Sequence, residues 1–328
     1  MAGLARCEVL KSLGNKLREL AQDEHLLVRA KVENPWFTEG FTREALLGWA
    51  QALRPDAVDR WCGNLERTAT PQTVGLICAG NLPLVGLHDV LTAYVAGHRV
   101  HVKLSSEDRV LMQAVMAALI ALDPDADITE VERLNDVQAV IATGSSNSLP
   151  FFETYFGDKP HVFRESRTSV AIVEEGMTEE ELKGLAKDIF LYFGRGCRSV
   201  THLFLPEGWD EQQLFESWFD WGHLAQHARY GANYDYHRAL FLLNKESFLE
   251  NNFAILREHS ELKPPVGVIH FSRYEDRQAL ETQLVEQAQA IQVVVGRDRA
   301  VPFGQSQHPE LWDYADGVDT LAFCNNLS

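Results

Sequence analysis

Cys197, set in Gly194-Arg195-Gly196-Cys197-Arg198-Ser199, is the side chain in this sequence best placed to be a nucleophile. A thiol in a loop between a helix and a strand is accessible, flanking arginines favour its thiolate, and glycines let a carbonyl approach the backbone closely. A packing cysteine in a tight turn would explain the same local pattern equally well. Cys7, Cys62, Cys78 and Cys324 fall in helical, strand or tail contexts and read as structural. With five cysteines, no close pair and no Cys-x-x-Cys, neither a disulfide framework nor a zinc site is expected, and all the thiols are expected to be reduced. His223 and His227 stand four apart, but no carboxylate or third ligand is evident nearby, so no metal is expected there. The stripe Phe215, Trp218, Phe219 and Trp221 could line an acyl channel, although such stripes are more often core or subunit contact.

The elements that must position these residues follow from periodicity. Residues 4–62 read as helical with a break at Asn34-Pro35. From residue 73 the pattern becomes an apolar run from Val74 to Ala79, a helix from Leu84 to Ala96 and a strand from Val100 to Leu104. An Ala-rich helix from Arg109 to Leu122 and a strand from Ala139 to Ala142 follow. Strand alternating with helix implies a parallel sheet covered on both faces. Beyond about residue 165 the order repeats: a strand from Ser169 to Val173, then a helix opened by Thr178 with Glu181 in capping-box spacing. Leu182, Leu185, Ile189 and Phe193 form its apolar face, and Gly194 is placed to stop it. Apolar runs from Val200 to Leu205, Ala239 to Leu243, Val266 to Phe271 and Ile291 to Val295 complete a second α/β unit. The expected fold is two doubly wound α/β domains with a helical lead-in, residues 1–165 and 166–328.

A formal charge of -17 repels phosphodiester backbones, so nucleic acid is not an expected partner. Charges run through the first twenty residues with no apolar core, and the greasiest stretch, Val74 to Val95, is interrupted by Gly80-Asn81, Pro83 and His88-Asp89. Neither a secretory signal nor a membrane span is expected, and the location expected is cytoplasmic.

Three further segments stand in order around the cysteine. Ala79-Gly80-Asn81-Leu82-Pro83-Leu84 resembles the strand-end motif of the aldehyde dehydrogenase superfamily, Ala96-Gly97-His98-Arg99-Val100-His101-Val102-Lys103 its lysine-bearing strand, and Ala142-Thr143-Gly144-Ser145 its pyrophosphate-side turn. Asn34-Pro35-Trp36-Phe37, Asn233-Tyr234-Asp235-Tyr236 and the tail from Pro302-Phe303-Gly304-Gln305 to Asp319 narrow the resemblance to the acyl-CoA reductase family that includes the reductase of bacterial bioluminescence. The resemblance covers most of the chain.

It implies an aldehyde dehydrogenase-like fold and an enzyme that reduces acyl-CoA, or an acyl carrier thioester, to an aldehyde through an acyl-cysteine on Cys197. Asn81 and the Cys197 N–H would stabilise the oxyanion. Residues 1–165 would bind the nicotinamide cofactor and residues 166–328 would carry the cysteine. Lys103, Ser105 and Ser106 would hold the ribose end of the cofactor, with Gly144 and Ser145 at its pyrophosphate. Serine rather than glutamate at 106 tolerates a 2′-phosphate and favours NADPH, NADH staying open. Aligned with the oxidising relatives, Arg164 stands where they carry the glutamate that activates water, and Glu165 is one position away. Two alternatives remain: an aldehyde oxidiser using Glu165, and a non-catalytic nucleotide-binding subunit. Homo-oligomerisation and acyl chain length stay open.

Overall fold

Apolar residues at helical spacing carry the N-terminal region into α1 (Ala2–Leu20), α2 (Glu24–Glu33), α3 (Glu39–Ala52) and α4 (Pro55–Cys62). Asp23 caps α2 and Thr38 caps α3, each accepting a backbone N–H in the first turn, while Pro55 opens α4. The computed structural model describes residues 2–63, 65, 70–144 and 147–327. Its chain divides into two units, Met1–Ser166 with His308–Ser328, and Arg167–Gln307.

In the first unit β1 (Thr73–Ile77), α5 (Leu87–Ala96), β2 (Arg99–Lys103), α6 (Arg109–Leu122), β3 (Ile128–Glu130), β4 (Ala139–Thr143), α7 (Leu149–Phe156) and β5 (His161–Arg164) follow one another. The strands form one parallel sheet in the order β3-β2-β1-β4-β5. Chain order reverses between β1 and β4, the switch point at whose carboxyl edge doubly wound sheets generally bind ligands. Three elements, β3, α7 and β5, are not expected from the sequence. β3 has only three residues, and β5 is a four-residue edge strand with two of its side chains buried.

The second unit contains β6 (Thr168–Ile172), α8 (Glu179–Phe190), β7 (Val200–Pro206), α9 (Gln212–Ser217), α10 (Ala228–Asn244), β8 (Leu249–Glu250), β9 (Ile255–Glu258), β10 (Val268–Tyr274), α11 (Arg277–Glu286) and β11 (Ile291–Val295). Its sheet runs β11-β6-β7-β10-β9-β8, parallel except for the β8–β9 pair. The Thr178–Glu181 capping box is present. Two expectations are corrected. The run Ala239–Leu243 lies inside α10, where an apolar stretch of strand length is a turn of a longer helix exposing Leu240, Leu242 and Leu243. Phe193 is not on α8, which ends at Phe190.

The C-terminal tail returns to the first unit, in place of the single boundary expected near residue 165. Side chains hold it there. Arg54 grips Glu310 with both terminal guanidinium nitrogens, Trp61 donates to the Tyr314 hydroxyl at 2.9 Å, and the Arg60 guanidinium lies 3.7 Å from the Trp312 ring centre. His88 and His98 donate to the Leu311 and Cys324 carbonyls, and Asp319 caps α12 (Thr320–Asn325). The expectation of five reduced thiols is also corrected: Cys7 on α1 and Cys62 on α4 form a disulfide, with Cα atoms 6.5 Å apart. Fifty-five residues separate the pair in sequence, so only helix packing reveals it. Among the described residues no helix is long and apolar enough to cross a membrane.

Candidate active site

Most of the residues expected to hold the cofactor gather at the carboxyl edge of the first sheet. Lys103 ends β2 and is exposed, Ser105 and Ser106 lie in the turn that follows, and Gly144 follows β4. Ser145 lies outside the described residues. Asn81, half-buried, stands in the loop after β1. Gly80 has to be glycine here, since a Cβ would come within 2.4 Å of Ser105 Oγ. Asn34, almost fully buried, donates its amide to the Gly80 and Glu107 carbonyls at 3.5 and 3.3 Å, which ties the loop carrying Asn81 to the loop carrying the serines. In the sequence Asn34 reads as a helix break and as part of a segment shared with the family, with no sign of this bracing role.

Leu84, three residues beyond Asn81, has φ +60°. That backbone costs an aliphatic residue roughly 1–3 kcal/mol and persists only where its surroundings enforce it. Here its side chain is fully buried and its N–H donates to Asp108 Oδ2 at 2.7 Å. Asp108 precedes α6, where a carboxylate usually caps its own helix; it makes no such cap and reaches across instead. Burial pushes its carboxyl well above the usual range, with the Leu84 N–H pulling the other way, and its Oδ1 has no hydrogen-bond partner.

Arg164 is the last residue of β5, and its guanidinium makes a bidentate pair with Asp89 at 2.6 and 2.9 Å, both residues 6% exposed. The position aligned with a hydrolytic glutamate therefore carries a buried structural ion pair. Glu165 beside it is exposed.

In the second unit Cys197 lies in a turn between the 3-10 segment Leu191–Gly194 and β7. Tyr192, Phe193 and Gly194 all have positive φ, 55°, 60° and 67°, so the chain turns sharply before the cysteine. The loop is held mainly through its backbone. Ser169 Oγ on β6 donates to the Cys197 carbonyl at 2.9 Å, and Ser199 Oγ accepts from the Gly196 N–H at 3.1 Å and from Gln307 Nε2 at 3.0 Å. Arg198 Nε donates to the Ser306 carbonyl, so this guanidinium braces the loop as well as contributing charge. Asp188 on α8 fixes that segment in turn, accepting from the Gly304 and Ser306 N–H groups at 2.6 and 2.9 Å. Burial pushes the Asp188 carboxyl up to about 6, opposed by those donors. Gly184 permits the close approach, since a Cβ there would come within 3.0 Å of the Gly304 nitrogen.

The cysteines now separate. Cys7 and Cys62 are bonded together; of the three free thiols Cys78 and Cys324 are buried, which raises their pKa values, and Cys197 is partly accessible. His227 accepts the Tyr230 N–H as the cap of α10, and His223 Nδ1 donates to the Asp220 carbonyl. Trp218 is buried against Phe190 and Phe215, while Phe219 is 84% exposed, so the aromatic stripe is divided between core and surface. In the Asn233-Tyr234-Asp235-Tyr236 segment, the Tyr234 hydroxyl donates to Glu250 and so pins α10 to β8.

Solved structures share this fold at low identity. Aldehyde dehydrogenase 21 from Physcomitrella patens, in complex with succinate, matches with a TM-score of 0.64 and 13% identity over 91% of this chain and 74% of its own. An NADP-dependent enzyme from E. coli gives 0.67 and 14% over 89% and 73%. The aldehyde dehydrogenase of Mycobacterium tuberculosis, complexed with NAD+, gives 0.65 and 13% over 90% and 73%. No curated protein matches the sequence. Residues 41–217, more than half the chain and including both Asn81 and Cys197, match the LuxC family, described as acyl-CoA reductase. The chain therefore belongs to the LuxC acyl-CoA reductase family, oxidoreductases related to aldehydes, and has the aldehyde dehydrogenase fold.

Proposed function

We propose that this protein reduces an acyl thioester, acyl-CoA or an acyl carrier conjugate, to the aldehyde through an acyl-cysteine on Cys197. The observation that carries this reading is the separation of the thiols: two are bonded, and of the three free ones two are buried with raised pKa values and Cys197 is partly accessible. Its loop is braced by Ser169, Ser199 and Arg198, which holds the backbone that carries the thiol. The Cys197 thiolate attacks the thioester carbonyl, the carbon–sulfur bond to the leaving thiol breaks, and that thiol takes up a proton. Asn81 and the Cys197 N–H are assigned to the oxyanion.

The first unit is assigned to cofactor binding. Its carboxyl edge has the switch between β1 and β4 and offers a cation, Lys103, two serine hydroxyls and the glycine after β4, a donor set that fits a dinucleotide. A nicotinamide held by these residues would supply hydride to the acyl carbon; the carbon–sulfur bond to Cys197 would then break, releasing aldehyde and restoring the thiolate. Ser106 favours NADPH; the exposed Glu107 beside it is the feature that would favour NADH by repelling a 2′-phosphate.

The buried Arg164–Asp89 pair supports reduction over oxidation, because a guanidinium neutralised inside the first unit cannot take a proton from water. The exposed Glu165 supports a second reading, an aldehyde oxidiser that hydrolyses its acyl-enzyme. Following NADPH absorbance with a series of acyl-CoA lengths tests the proposal: thioester-dependent oxidation of NADPH supports it. Aldehyde-dependent NAD(P)+ reduction with release of free acid, lost in Glu165→Gln, would favour the second reading.

A further inference from the structure

We infer that the second unit carries a divalent transition-metal site of the zinc type, made by His259, Glu261 and His270. These residues lie outside the segment matched to the family. His259 and Glu261 follow β9, and His270 is the third residue of β10, the strand paired in parallel with it. Each offers one ligand atom, and the three atoms lie within 4.8 Å of one another. Two imidazoles and one carboxylate are a donor set that zinc accepts, with water completing the shell.

His270 provides the independent indication. It is 2% exposed, and its Nδ1 lies 2.8 Å from the Glu261 carbonyl oxygen. A carbonyl only accepts, so the proton sits on Nδ1 and Nε2 presents a lone pair. That Nε2 is buried without a hydrogen-bond partner, an arrangement that costs about 1–3 kcal/mol unless something coordinates it. A ligating histidine whose other nitrogen donates to a backbone carbonyl is the usual outer-shell arrangement at zinc, because it fixes both tautomer and ring orientation.

The neighbours are compatible with a cation. His202, beside His270 on β7, donates from Nδ1 to the same Glu261 carbonyl and pairs through Nε2 with Ser272, so it is committed elsewhere. Arg257, two residues before His259, is held by Glu246 and packs on the Phe241 ring. His259 Nδ1 accepts the Glu261 N–H at 3.2 Å, a long bond that a metal would replace or that would give way to the other tautomer. Metal–nitrogen bonds of about 2.0–2.1 Å place tetrahedral ligand atoms roughly 3.3 Å apart, so the site must contract. Glu261 is exposed and His259 half-buried, and their side chains can make that movement while His270 stays fixed. The consequence is a clamp that ties the connection between β9 and β10 to the buried strand.

The test is cobalt(II) titration of the full-length protein, prepared without a polyhistidine tag and stripped with EDTA, with zinc competition and circular dichroism as a check on folding. The expected result is saturable uptake of one cobalt per chain, with visible absorption of a tetrahedral centre that zinc abolishes. Affinity should fall at least tenfold in His259→Ala and in Glu261→Gln, both at accessible positions where the fold should persist. His270→Gln should abolish uptake, but the two accessible variants decide the matter if that one fails to fold. Absence of saturable uptake would overturn the proposal. So would uptake equal in wild type and His259→Ala, or uptake lost in Cys197→Ser and retained in His259→Ala, which would put the metal on the thiol.

Discussion

The loop after β1, which carries Asn81, and the loop before β7, which carries Cys197, meet the same physical demand with buried carboxylates used differently. Each loop has non-glycine residues at positive φ beside a candidate reactive group, Leu84 in one and Tyr192 and Phe193 in the other. In the first unit Asp108 accepts one backbone N–H and leaves an oxygen unpartnered. In the second Asp188 accepts two and acts at one remove, through the Ser306 carbonyl and Arg198. Burial raises both carboxyls, that of Asp188 to about 6, and in each the N–H donors oppose the rise. The first unit also keeps a buried ion pair, Arg164–Asp89, which makes its neighbourhood the more sensitive to loss of one charge.

The largest effect that separates the two loops is expected from Cys197→Ala. Thioester-dependent NADPH oxidation should fall on the order of 10⁴-fold or more, while nucleotide binding to the first unit persists. Cys324→Ala, which removes a buried thiol, should leave turnover nearly intact; a comparable loss in both variants would remove the distinction drawn among the thiols.

Next in size is the ion pair. Arg164→Met leaves Asp89 buried and uncompensated and should cost about 3–5 kcal/mol of stability, seen as a fall of roughly 10 °C in Tm. The double variant Arg164→Met with Asp89→Leu should recover much of that. Failure of the double variant to recover would mean that the pair is needed for more than mutual neutralisation.

Asn81→Ala should lower turnover about 10²–10³-fold with little change in affinity for nucleotide. If binding of NADPH collapses instead, Asn81 belongs to the cofactor site or to the fold.

The smallest effect lies in the pH dependence of stability. The Asp188 carboxyl is raised from its ordinary 3.8 to about 6 in the folded protein, so the folded state holds the proton more tightly than the unfolded one. Its contribution is therefore greatest below pH ~4 and is lost as pH rises to ~6, about 3 kcal/mol in all. Chemical unfolding at pH 4, 5, 6 and 7 should show that decline in the wild type and a flatter profile in Asp188→Asn. An equal decline in both would show that Asp188 is not the group responsible.

Periodicity makes much of this fold legible in the sequence. The cores of β1, β2, β4 and β6 and the whole of α6 follow from their apolar runs, and the α8 cap follows from Thr178 and Glu181. Short edge strands such as β3 and β5 carry too few residues to show a period, and the Ala239–Leu243 run fits helix or strand until its polar flanks are seen to be helical. At the candidate site, sequence reveals the residues that could react but not those that hold them. Asp108 and Asp188 act on backbone N–H groups 24 and 116 residues away, and Asn34 on carbonyls 46 and 73 away. No local spacing encodes such pairs, and the same is true of the Cys7–Cys62 bond.

The most direct test of the central claim is mass spectrometry of the protein mixed with acyl-CoA in the absence of NADPH. The account predicts a persistent acyl adduct on the peptide containing Cys197, discharged to aldehyde when NADPH is added, because the buried Arg164 supplies no base for water. Rapid release of free fatty acid without cofactor, abolished in Glu165→Gln, would contradict it.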